Sequence, residues 1–99
     1  MIALKKEPNK GLTLITMENS LRALQEAVGG KIEAVTIAED MAIICNEEGR
    51  LKGLPYNCSY ANIDFVGNIL AVGVSGEEIT DVPASAAPFL QKNLKTIRE

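Results

Sequence analysis

"KIEAVTIAEDMAIIC", residues 31–45, is the stretch on which the fold turns. Residues 31 to 38 alternate, with Glu33, Val35 and Ile37 on one side of an extended chain and Ile32, Ala34 and Thr36 on the other. Such alternation belongs to a strand with two unlike faces. Glu39-Asp40 then offers a turn, because Asp tolerates a left-handed conformation. "MAIIC", residues 41–45, is apolar throughout, the pattern of an inner strand covered on both faces. The stretch reads as a hairpin whose second strand is central.

Working outward, "NILAVGVS" (68–75) is a second inner strand, with Gly73 marking a bulge or a close backbone approach. "MIALKKE" reads as a short first strand with a turn at Pro8-Asn9-Lys10-Gly11, and "LTLIT" (12–16) as a second strand or an extended lead-in. Between them and the hairpin, "ENSLRALQEAVGG" predicts a helix. Asn19 or Ser20 caps it, Leu21, Leu24 and Val28 form its buried stripe, Arg22, Gln25 and Glu26 its wet side, and Gly29-Gly30 its stop. "NEEG" breaks the central run, with Gly49 free to take positive φ. Residues 50 to 67 read as a long irregular segment, and "GEEITDVP" as a loop or edge segment. A last helix capped by Ser85 places Pro88 in its first turn, where a missing amide does no harm. Leu90, Leu94 and Ile97 then form its buried stripe, and Lys92, Lys95 and Arg98 its basic end. The expected fold is α+β: a mostly antiparallel sheet of about four to six strands packed with two helices. Two strands apolar on both faces need cover on both faces. A homodimer or higher oligomer is one remedy, and the 50–67 segment folding back across the sheet is the other.

The 99 residues form a single domain with 46% apolar and 23% charged side chains, an ordinary globular balance. The net charge of −3 and the lack of any cluster of four basic residues argue against duplex nucleic acid as a partner. A small phosphorylated ligand needs only one or two cations and is compatible with this balance. The two cysteines, Cys45 and Cys58, are too few for a zinc site, and Cys45 ends an apolar run as a small buried hydrophobe. No stretch has the make-up of a signal peptide or a membrane span, so a cytoplasmic protein with unpaired thiols is expected. Asn57-Cys58-Ser59 then matches the glycosylation pattern by chance.

With no histidine, the serine–histidine, cysteine–histidine and histidine–metal devices are all excluded. The glycines at 67, 73 and 76 fit neither a phosphate-binding loop nor a dinucleotide fingerprint. Glu47, Glu48 and Asp64 could serve carboxylate chemistry, although acids in a turn are more often solvated. The stronger reading is recognition without catalysis and without a metal or cofactor. Asn46, Asn57, Asn62 and Asn68 carry amides suited to base edges or ribose hydroxyls. Tyr56, Tyr60 and Phe65 offer rings for stacking, while Arg50 and Lys52 supply positive charge. Leu54 and Pro55 anchor the segment and fix its path. The expected ligand wall therefore comprises Asn46, Glu47, Arg50, Leu54, Pro55, Tyr56, Asn57, Tyr60 and Asn68. Each also has a structural use, in turns, strand ends or the rim of the core.

"LQEAVGGKIEAV", "NEEGRLKGLPYN" and "FVGNILAVG", in this order over about residues 20–74, resemble a small domain of unknown function found in phages and mobile elements. The shared pattern falls on Val28-Gly29-Gly30, Asn46 to Gly49, Leu54-Pro55-Tyr56-Asn57 and Gly67-Asn68. The resemblance carries over no activity. Its setting suggests a sponge that sequesters a nucleotide immune signal, of the cyclic dinucleotide or cyclised ADP-ribose kind. The alternatives are a protein-interaction module using the 46–68 region and an enzyme using Glu47 or Glu48.

Overall fold

The computed structural model describes residues 1–97. Its elements in chain order are β1 (Ile2–Lys6), β2 (Leu12–Thr16), α1 (Leu21–Val28), β3 (Ile32–Ala38), β4 (Met41–Asn46), β5 (Tyr56–Tyr60), β6 (Ile63–Val66), β7 (Ile69–Ser75), β8 (Glu78–Thr80) and α2 (Ala86–Asn93). The main sheet has the order β2-β1-β7-β4-β3, with β8 pairing the far end of β7. All its pairings are antiparallel. β5 and β6 form a second, two-stranded antiparallel sheet. The fold is α+β, with two helices and a mostly antiparallel sheet of six strands.

The inner strands lie where their composition requires. β7 sits between β1 and β4, and β4 between β7 and β3. Ala42, Ile44, Leu70 and Val72 point to one face and pack with Leu24 and Val28 of α1. Met41 and Ala71, on the opposite face, meet Ala86 and Leu90 of α2. Ile43, Cys45 and Ile69 on that same face meet Cys58 and Phe65 of the β5–β6 hairpin. Each fully buried Ile or Leu contributes about 1.5–3 kcal/mol, so cover on both faces is the main source of stability.

Residues 50–67 are thus not a long irregular loop but a turn followed by a hairpin laid across the sheet. The hairpin closes at Ala61-Asn62, both in the left-handed region at φ 47° and 70°, the twist a two-residue hairpin turn needs. Its strands escape detection because polar Asn57, Ser59 and Asp64 interrupt them and Ala-Asn is a weak turn signal. Since the chain covers both faces of its own sheet, the premise for expecting an oligomer is removed.

Local expectations divide. Ser20 Oγ accepts from the Ala23 amide, and Gly29 ends α1 at φ 80°. Asn19 instead donates to the Ile79 carbonyl at 2.8 Å. Leu21, expected in the buried stripe, is exposed because it opens the helix. Gly49 does not take positive φ; its need for glycine is space, since a Cβ there would meet the Val66 side chain at 2.8 Å. A Cβ on Gly73 would run into the Asp81 carbonyl, the close approach that its place in the strand suggested. Pro88 does lie in the first turn of α2, but the Ser85 side chain makes no capping bond. α2 stops at Asn93, where Leu94 turns extended and Lys95 exchanges backbone hydrogen bonds with Ser59. Ile97 is therefore exposed rather than part of a buried stripe, and Arg98 lies outside the described residues.

Candidate functional site

The nine residues expected to wall one site are dispersed. Asn46, at the end of β4, is buried and donates to the Val28 carbonyl at 3.1 Å. Its Oδ1 accepts from the Glu48 amide at 2.8 Å, so it joins the end of α1 to the turn after β4. Glu47 is exposed, and Arg50 donates to the Asp64 carbonyl at 3.1 Å. These three share a pocket of about 350 Å³ with Leu51 and Asp64. Leu54, Pro55 and Asn68 line a separate one beside Gly29. Tyr56 OH shares a 2.6 Å hydrogen bond with Ser59 Oγ, which in turn donates to Asp64. Tyr60 reaches the Ile37 carbonyl at 3.4 Å, and its ring lies 6.1 Å from that of Phe89. The two tyrosines therefore serve the seam between hairpin, sheet and α2.

Asn57 is the one of the nine that lines the cleft at the base of the hairpin. It is 2% exposed, and the cleft, of about 450 Å³, lies between the β1–β2 turn, the base of the hairpin and the end of α2. Its Nδ2 donates to the carbonyls of Lys6 at 2.8 Å and Gly67 at 2.7 Å. Its Oδ1 is buried without a hydrogen-bond partner. Leu12, Leu90 and Leu94 supply apolar lining, and Asn9, Gln91 and Thr96 add polar groups.

Among the described residues two lysines line the cleft, and no carboxylate does. Lys6 is only 4% exposed, yet its ammonium makes a single long hydrogen bond, 3.4 Å to the Glu7 carbonyl, and no ion pair with a described residue. Lys10 is exposed and pairs with Glu7 at 3.1 Å. The Lys10 hydrogen bond and charge, with help from Lys5, hold the Glu7 carboxyl below its usual range. Both cysteines are free and buried. Burial pushes each thiol up to about 11; the Lys6 charge opposes this at Cys58, while at Cys45 Glu33 adds to it and Arg50 opposes it. Neither is a ready nucleophile.

Reading for aromatic and amide clusters overlooks Lys6, Asn9, Lys10 and the α2 residues. One signal was present. In "IALKK", Ile2, Leu4 and Lys6 fall on the same face of the strand, so an inward Leu4 places a lysine inward too. Nothing in the sequence brings α2 to that face.

Among the described residues no group of three potential metal ligands occurs, and no helix is long and apolar enough to cross a membrane. No curated protein and no solved structure matches the chain. A family model does match. It takes in the first strands and the last helix as well as the central stretch whose motifs drew attention. The model is that of DUF3846, a domain of unknown function; it matches residues 1–95, and the chain belongs to that family.

Proposed function

We propose that this protein binds a small nucleotide-derived ligand and holds it without turning it over. The observation that carries this reading is the cleft beside Asn57, where apolar side chains, amides and lysines converge with no carboxylate among the described residues that line it. Its volume of about 450 Å³ is within the range of small-molecule sites, roughly 300–1,000 Å³. Leucines suit the flat face of a base, Asn9, Gln91 and Thr96 suit its edges or a ribose, and lysines suit phosphate. This reading moves the recognition site from the 46–68 wall to the cleft around Asn57, whose lining comes largely from other parts of the chain. A sponge for a cyclic dinucleotide or cyclised ADP-ribose immune signal, in the phage setting suggested by the sequence, is the specific form of this proposal. Such ligands belong to the cytoplasm, the compartment expected for free thiols.

A second reading rests on Leu51, 89% exposed in the turn before the hairpin, as an anchor for a protein partner. One experiment separates the readings. Protein is incubated with cyclic dinucleotides, cyclised ADP-ribose and linear nucleotides, the free ligand is assayed, and the protein is then heat-denatured. Depletion followed by release of intact ligand is expected. Release of an altered ligand would instead show turnover, and no depletion of any nucleotide would favour the partner-binding reading.

A further inference from the structure

We propose that Lys6 is the anchoring cation of the cleft beside Asn57 and takes a phosphate-type anion, with Lys10 completing the contact from the rim. This assigns the anionic end of the ligand and, as far as a nucleotide is concerned, rests on the function proposed above. Three observations converge on it. First, Lys6 is 96% removed from solvent while its ammonium, with three donors to satisfy, has one long hydrogen bond and no carboxylate partner among the described residues. A buried charge in that condition is costly, and an incoming anion offsets the cost. Secondly, among its described lining residues the cleft carries two lysines and no acid although the whole chain has a net charge of −3, so the positive charge of this lining is local. Glu7, the nearby acid, is engaged by Lys10 at 3.1 Å on the exposed side of the turn.

Thirdly, Asn57, a residue of the same cleft wall, holds a buried acceptor, Oδ1, without a donor among the described residues. Its amide nitrogen is committed to the Lys6 and Gly67 carbonyls, so the side chain cannot turn to pair otherwise. An unmatched cation and an unmatched acceptor on two residues of one cleft define the complement: an anion that also carries a hydroxyl or an N–H. A protonated phosphate has that chemistry, as does a phosphate ester whose sugar or base brings the O–H or N–H, and a purely apolar occupant does not. Lysine rather than arginine suits it, being a compact charge that needs no planar partner.

The test titrates inorganic pyrophosphate, ADP and adenosine into the wild type, Lys6→Met, Lys10→Glu and Lys31→Ala. Methionine keeps the length and apolar stem of Lys6, so Lys6→Met should melt at or above the wild-type temperature. It should weaken pyrophosphate and ADP at least about tenfold and leave adenosine unchanged. Lys10→Glu, at an exposed position, should weaken both anions while the protein stays folded, and Lys31→Ala, remote from the cleft, should change nothing. Equal ADP affinity in wild type and Lys6→Met would overturn the Lys6 assignment while leaving nucleotide binding intact. Pyrophosphate binding that is lost in Lys6→Met, with ADP no tighter than pyrophosphate, would support the anion site and sink the nucleotide reading. If Lys6→Met fails to fold, unchanged pyrophosphate binding by Lys10→Glu overturns the proposal. Failure of the wild type to bind either anion overturns it outright.

Discussion

The Asn57 amide bridges the last carbonyl of β1 and the Gly67 carbonyl after β6, so one side chain fastens the hairpin to the sheet. Both acceptors lose a partner when the amide is removed, and each buried group left unmatched costs about 1–3 kcal/mol. Asn57→Ala should therefore destabilise the protein by about 2–4 kcal/mol in urea unfolding. A loss below about 1 kcal/mol would show that water replaces the amide and that the tie is incidental. Asn46 has a similar place, between the Val28 carbonyl and the Glu48 amide, with both ends of its side chain used. The two asparagines look alike in sequence but differ in one atom's fate. Asn46 is satisfied at both ends, whereas Asn57 Oδ1 has no partner, which leaves Asn57 with something to offer a ligand and Asn46 with nothing.

At the scale of elements, the two helices begin with the same residue type in different chemistry. Ser20 adopts an extended conformation and its hydroxyl accepts the Ala23 amide at 3.1 Å. Ser85 has helical angles and makes no such bond. Ser20→Ala should thus cost about 1 kcal/mol and Ser85→Ala only a few tenths at most, measured by thermal unfolding of both variants. Equal costs would mean that the caps are not what distinguishes these helix starts. The same contrast shows what a sequence makes legible. α1, β3, β4 and β7 follow from periodicity, because burial on one or two faces leaves a repeating trace in the residues. β5 and β6 leave almost none, since polar Tyr56, Asn57, Ser59 and Asp64 are held by hydrogen bonds within the hairpin and, for Tyr56 and Asn57, to the distant Lys95 and Lys6 carbonyls. The cleft is harder still to read. Lys6, Asn57 and Leu90 come from three remote parts of the chain, and only the docking of hairpin and α2 on one face brings them together.

For the molecule as a whole, the question is whether one chain suffices. α1 covers one face of the sheet, and α2 with the hairpin covers the other. The radius of gyration, 12.3 Å, is close to the ~12.6 Å expected of a compact single domain of this length. The inner strands therefore reach full burial without a second copy, and folding should not depend on association. An obligate dimer would gain about 2.7 kcal/mol from a hundredfold rise in protein concentration, by mass action. Spread over the two chains of a dimer, that would raise the melting temperature by roughly 5–10 °C. We expect the unfolding midpoint to be constant, within about one degree, from micromolar concentration to a hundred times that, in scanning calorimetry at fixed salt and without nucleotide. A midpoint that climbs with concentration would show that the chain shares its stability with a copy of itself. The β2 edge, where Leu14 stands exposed beside unpaired backbone, would then be the first place to look, because an open edge strand accepts another strand by the bonds that built the sheet.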